Sequence, residues 1–209
     1  MSAGGTSQLQ SKQIDPDTAT RIGGWLFRRR TLIPLPITIA LLGVRAGETA
    51  SSAGLLATGV AATLAGEMVR LWAVRHIGVI SRTRSDRLGP LVASGPFALV
   101  RNPIYLGNIA LWAGFALIAR LVWMAPVIVA LLAAEYHAIV RWEERLLESR
   151  LGDAYRAYAE RVPRWLPTFT TSPEQLEGTR SWRETLFSER GTLIAIAGGY
   201  LLLWLKAQV

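Results

Sequence analysis

The chain has 209 residues, 51% of them hydrophobic and 18% charged, with a mean hydropathy of +0.28, an oily balance for a soluble domain that indicates a membrane protein. Cysteine is absent, which excludes disulfides, thiolate nucleophiles, iron-sulfur clusters and cysteine zinc sites, and two histidines, His76 and His137, argue against a histidine-rich metal centre. The net charge of +8 is carried almost wholly by arginine, since lysine occurs only at Lys12 and Lys206; with this hydropathy it points to an anionic lipid surface and away from nucleic acid.

In chain order, residues 1–24 are expected to be a mobile polar tail. The first twenty are small and polar and lack the basic-then-apolar grammar of a secretory signal. A membrane core is expected over 25–167. Its first two apolar runs lie near 32–45, behind Arg28, Arg29 and Arg30, and near 53–76, interrupted by Glu67, Arg70 and Arg75. Glu67 and Arg70 are three apart, so they share a helix face and can neutralise one another. From Ile104 to Val140 only Arg120, Glu135 and His137 interrupt the apolar sequence. As one helix that stretch would be roughly 55 Å long at ~1.5 Å per residue. A hydrocarbon core is about 30 Å thick, so the stretch is predicted to double back at Arg120 into spans near 104–119 and 122–141. A cytosolic helical segment is expected over 142–167 and a linker with short helices over 168–190. Helix starts are read there at Ser172-Pro173 and at Ser181 with Glu184, before a last span over 191–206. The fold class is therefore all-α: an integral membrane protein of about five transmembrane helices with one helical hairpin.

Charge orients these spans. Lys12, Arg21, Arg28 to Arg30, Arg75 and the arginines from 82 to 101 fall on one side, with those of the long 141–190 segment counting for less. Only Arg45, Arg120 and Lys206 fall on the other. The N-terminus and the hairpin's open end are thus expected in the cytosol, in a bacterial cytoplasmic membrane.

A hairpin returns its ends to one face, so VRNPIYLGN (100–108) and RWEERLLE (141–148) become predicted neighbours. Asn102 and Pro103 read as N-cap and first helical residue, and the helix start they define suits an anion. The opposite strand of the hairpin is expected to end near Arg141–Glu144 with carbonyls and carboxylates that suit a cation. Glu143 and Glu144 are ~100° apart on a helix, so one of them is expected to face the pocket. Each part also has a plainer reading, as a cap, a lipid anchor or a solvated ion pair.

RNPIYLGN, the hairpin, and then EERLLESRLGDAYRAYAERVPRWLP resemble the isoprenylcysteine carboxyl methyltransferase and phospholipid N-methyltransferase family of integral membrane enzymes. That family is marked by Arg-His-Pro-x-Tyr before the hairpin and by Glu-Glu-x-x-Leu, Phe-Gly-x-x-Tyr-x-x-Tyr and Val-Pro-x-x-x-Pro after it. The resemblance covers about residues 70–167. It implies an S-adenosylmethionine site shaped by Arg101, Asn102, Pro103, Tyr105, Glu143 and Glu144, closed by Tyr155, Tyr158, Pro163 and Arg164. Two positions depart from the pattern: Asn102 stands for the histidine, removing a titratable group, and Leu151 for the phenylalanine. The acceptor class implied is lipophilic: a prenylated cysteine carboxylate or a phospholipid amine, with a small thiol as the alternative.

Methyl transfer from a sulfonium needs no protein nucleophile, and no glycine-rich dinucleotide motif follows a strand here. Candidate catalytic groups outside the motifs are Glu135 and His137 as general bases and Arg75 as a guanidinium for a carboxylate or phosphate. Tyr155 and Tyr158 with Leu147 and Leu151 form a face expected to lie on the membrane. Two rival functions remain at this stage, an NADPH-dependent membrane reductase of related fold and a non-enzymatic scaffold.

Overall fold

A computed structural model describes residues 18–30, 32–77, 91–168 and 181–208, and every regular element among them is a helix: α1 (Thr18–Arg29), α2 (Pro34–Gly43), α3 (Ala53–Ile77), α4 (Pro96–Leu99), α5 (Pro103–Ile118), α6 (Met124–Leu151), α7 (Asp153–Arg161) and α8 (Trp182–Gln208). Three of these, α3, α6 and α8, are long and apolar enough to cross a membrane. The apolar runs expected near 32–45 and 104–119 are the shorter helices α2 and α5, of 10 and 16 residues. At ~1.5 Å per residue α2 is about 15 Å long, half the thickness of a hydrocarbon core. The protein is an integral membrane helical bundle.

The closest helix pair is α3 with α5, and glycine is the reason. A Cβ on Gly66 would lie 2.5 Å from the Gly107 carbonyl oxygen, and one on Gly107 would lie 2.6 Å from that of Gly66. Two turns along, Gly59 and Gly114 repeat the contact at 2.9 and 2.7 Å. Such small residues let backbones approach where lipid offers no hydrophobic drive for association. Helix α1 docks on α6 in the same way. Gly23 faces the Ala138 carbonyl, and Phe27 packs its ring 4.8 Å from Trp142. The first two turns of α1 thus take residues expected in the polar tail, because docking on α6 orders them.

The hairpin bends at Arg120, where φ is +61°. The Leu121 N–H reaches back to the Ala116 carbonyl at 3.0 Å and that of Arg120 to Leu117 at 3.0 Å, satisfying the last carbonyls of α5. Its second arm is longer than expected. RWEERLLESRL holds mostly good helix formers and neither glycine nor proline, so α6 runs on without a break until Gly152, at φ +52°. Glu143 and Glu144 are therefore mid-helix, and the expected helix end with its free carbonyls lies two turns further on.

The C-terminal part is also more continuous than expected. Ser181 starts a helix as read, its Oγ accepting from the Glu184 N–H at 3.2 Å. Despite Gly191, Gly198 and Gly199, α8 continues unbroken to Gln208, so the described part of the expected linker is the first turns of the last span. Ser172-Pro173, and the basic loop through residues 78–90, lie outside the described residues. The main core runs along the hairpin, with Leu121, Leu132, Ile139 and Ala116 almost wholly buried.

Candidate functional site

The two arms of the hairpin meet at their open end through ions. Arg101 Nη1 lies 2.9 Å from Glu144 Oε1, so these residues occupy the same end of the bundle. The segment after α7 folds back across them. Pro163 O accepts from the Arg101 N–H at 2.9 Å, and Leu99 O accepts from the Thr168 N–H at 2.8 Å. This places Arg164 on Glu144 in a forked pair, Nε to Oε1 at 3.0 Å and Nη2 to Oε2 at 2.5 Å. The fork holds two donors against two carboxylate oxygens and so sets orientation as well as charge. The Arg164 guanidinium is held above its usual pKa, first by its hydrogen bond to Glu144.

Asn102 occupies the N-cap position of α5 but does not cap it. Its Nδ2 donates to the Arg164 carbonyl at 3.1 Å, so the amide fastens the folded-back segment. Pro103 is buried in the first turn of α5. Tyr105 donates to Glu143 Oε2 at 3.0 Å and stacks on Tyr136, ring centroids 4.6 Å apart. Both glutamates therefore face the site, against the expectation of one: Glu143 turns toward α5, and Glu144 is drawn across by the two arginines.

Tyr155 and Tyr158 come from α7. With Val162 they form a second small core, against which Leu91, Ala93, Leu147 and Leu151 pack. The face expected to lie on the membrane is thus turned inward, because the segment around Leu91 covers it. Tyr158 donates to the Phe97 carbonyl at 2.8 Å. Burial pushes the Tyr155 hydroxyl up to about 12 and raises that of Tyr158 as well, so both are neutral at physiological pH.

These groups bound the polar end of one cavity of about 1130 Å³. Arg101, Asn102, Tyr105, Glu143, Glu144, Tyr155 and Tyr158 all line it. Away from that end the lining becomes apolar, with Leu111, Trp112, Phe115, Leu41 and Leu203. Small-molecule pockets usually measure roughly 300–1,000 Å³, so there is room for a cofactor and part of a second ligand. Arg164 lies on the far side of Glu144, in a smaller outer pocket of about 410 Å³.

The three candidate bases and anchors are not brought here. Arg75 lies over the Trp182 ring at 4.7 Å, His137 is exposed beside Trp165, and Glu135 does not line the cavity. Their helical phase turns them away. Conversely, Arg30, Arg70, Asn108, Tyr136 and Thr192 line the cavity without having been singled out for the site. Arg70 is the centre of a buried cluster. Its Nε meets Glu67 Oε2 at 3.0 Å, its Nη2 meets Glu189 Oε2 at 2.7 Å, and its Nη1 donates to Asn108. The signal for the first of these pairs is the three-residue spacing of Glu67 and Arg70; Glu189 carries none.

Residues 55–154 match the family model described as phospholipid methyltransferase, bearing out the resemblance drawn from the motifs. Two curated relatives are each 28% identical over 151 residues, 72% of this chain. They are a nickel-cobalt-cadmium resistance protein of Alcaligenes xylosoxydans xylosoxydans and a cobalt-zinc-cadmium resistance protein of Cupriavidus metallidurans. The match spans 66% and 65% of their respective lengths, just under two thirds. No solved structure matches the chain.

Proposed function

We propose, from the phospholipid methyltransferase match over residues 55–154, that the protein is an S-adenosylmethionine-dependent membrane methyltransferase acting on a lipophilic acceptor. The observation that carries this reading is that the polar residues of the motifs on either side of the hairpin line one end of a single cavity whose other end is apolar.

The donor set fits the cofactor. Arg101 Nε is buried and has no hydrogen-bond partner, an open donor for a carboxylate. Tyr105 engages one oxygen of Glu143, and that carboxylate, with the Tyr105–Tyr136 faces, suits a cationic ammonium or sulfonium. Bound there, the cofactor would supply an electrophilic methyl group on its sulfonium. The protein's part is to orient and to exclude water. Glu144 holds Arg101 and Arg164, Asn102 holds the covering segment, and Tyr155 and Tyr158 close the side. Glu135, His137 and Arg75 have no part in it. We place this end of the bundle in the cytosol, where the basic segments gather.

The relatives' names speak of metal resistance. Among the described residues no three His, Cys, Asp or Glu side chains gather as a metal site. We therefore connect this chain to any such setting through modification of a membrane component.

Calorimetric titration of the purified protein with S-adenosylhomocysteine tests the cofactor, with NADPH as competitor. Binding that NADPH leaves untouched, together with a gain of one CH2 in a lipid of expressing cells, is the expected result. Binding of NADPH alone would establish the reductase reading, and binding of neither a scaffold.

A further inference from the structure

The methyltransferase reading leaves open what the apolar end of the cavity measures. One wall of that end is α8, which lies outside the family-matched residues 55–154. Helix α8 is held to the rest by polar contacts at separated levels. Near its start Glu189, with no exposed surface, pairs with Arg70, and Thr192 Oγ1 accepts from the same guanidinium at 3.3 Å. Further along, the Tyr200 and Thr63 hydroxyls meet. At its end Lys206 Nζ donates to the Leu41 and Val44 carbonyls at 2.9 and 2.7 Å. Between these pins Ile196, Tyr200 and Leu203 pack against the main core, and the rest of the stretch is little buried. Only 11% of its most apolar stretch is buried, against 28% in α3 and 33% in α6.

The face that α8 turns to the cavity is graded. Ser188, Thr192, Ala195, Gly199 and Leu202 follow one another at spacings of three and four, one stripe of a helix, and all line the cavity. The stripe is polar at 188 and 192, small at 195 and 199, and apolar at 202. It spans about 21 Å at ~1.5 Å per residue. Across from the polar part stand Asn108 and Tyr136, with Asn108 Nδ2 donating to the Tyr136 hydroxyl at 3.3 Å. Across from the small part stands Phe115, whose ring would lie 2.9 Å from a Cβ on Gly199. The passage is thus polar and hydrogen-bonding nearest the motif residues, narrow and smooth beyond, and open enough for Ala195 to be exposed.

We propose that this face of α8 is the specificity wall for the methyl acceptor, and that it selects an amphiphile with its polar group beside Thr192, Asn108 and Tyr136 and a single slim apolar chain laid over Ala195 and Gly199. The inference rests on the methyltransferase reading. Ala195 is then the gauge. A larger side chain there enters the space the chain occupies, while Ala197 on the same helix is exposed and does not line the cavity.

The test uses the full-length protein in vesicles made from the lipid extract of the expressing cells. S-adenosylhomocysteine binding is measured by calorimetry, and transfer by label from methyl-tritiated S-adenosylmethionine recovered in organic solvent. Ala195→Leu should lower transfer by roughly tenfold or more, with S-adenosylhomocysteine affinity within about threefold of wild type, while Ala197→Leu changes neither. Leu202→Ala should shift the labelled products, sized by mass spectrometry, toward longer chains. Equal transfer by wild type and Ala195→Leu overturns the proposal, as does loss of cofactor binding together with transfer in Ala195→Leu. A wild type that binds the cofactor product yet labels nothing soluble in organic solvent also overturns it. A wild type that binds no S-adenosylhomocysteine overturns the methyltransferase reading itself.

Discussion

Each end of the bundle carries a carboxylate held between two cations. At one end Glu144 is bridged by Arg101 and Arg164; at the other Glu48 is bridged by Arg120 and Lys206. The difference lies in what remains once the ions have met. Lys206 Nζ donates to two backbone carbonyls and pairs with Glu48 Oε1 at 3.0 Å. Arg120 sits in the hairpin bend, where its carbonyl accepts from the Thr49 N–H at 2.9 Å. That cluster ties the α2–α3 connection, the bend and the end of α8 together, and it leaves Glu48 Oε1 buried without a hydrogen-bond partner, away from the cavity. The Glu144 cluster keeps a buried guanidinium N–H without a partner and stands at the mouth of a large cavity. Similar charges make a clasp away from the cavity and a seat where a donor is left open on a residue that lines it.

This contrast can be broken by mutation. The largest effect is expected from Glu144→Ala, which leaves Arg101 and Arg164 without their shared anion. S-adenosylhomocysteine affinity should fall roughly tenfold to a hundredfold by calorimetry, about 1.4 to 2.8 kcal/mol. Unchanged affinity would show the seat to be a second clasp. Next, Glu48→Ala should cost about 1–3 kcal/mol of stability, seen as a lower Tm in detergent, because it strands a buried ammonium. Its cofactor affinity at 25 °C should match wild type, and a matching loss of affinity would mean the two ends are coupled.

Acid sharpens the same point. The Lys206 ammonium beside it, and then Arg120, hold the Glu48 carboxyl below its usual 4.5. A depressed carboxyl lends stability that is present above the unfolded value and is lost as pH falls through the folded one. Wild type should therefore lose Tm faster than Glu48→Gln when pH is lowered below about 4.5. Parallel curves for the two proteins would remove Glu48 from the account. The smallest effect is expected from Asn102→His. An imidazole N–H can still donate toward the Arg164 carbonyl, so affinity should stay within about threefold, whereas Asn102→Ala, which has no donor, should weaken it more. A histidine variant no better than alanine would show that the amide's second polar atom matters as well.

Much of this was readable in the chain. The bend at Arg120 follows from length against bilayer thickness, and the meeting of Arg101 with Glu144 follows from the bend. The motif residues gather for the same reason. What went astray followed from treating segments one at a time. Asn102 next to Pro103 reads as a cap, yet a carbonyl brought in by the folded-back segment competes for its amide and wins. Glu143 and Glu144 read as a helix end only because the apolar run stops there, whereas helix formation depends on propensity and continues to Leu151.

The sequence by itself determined the helices, the hairpin and the gathering of the motifs, since these depend on period, propensity and the thickness of a membrane, all local or one-dimensional quantities. Tertiary structure alone decided that Glu189, 119 residues away from Arg70, would complete its ion cluster, that Glu135 and His137 would face away, and that α8 would wall a graded cavity. Those outcomes depend on the rotation and separation of packed helices, which are set by the glycine contacts of α3 with α5 and by the polar pins of α8 acting together, and no stretch of chain carries that information alone.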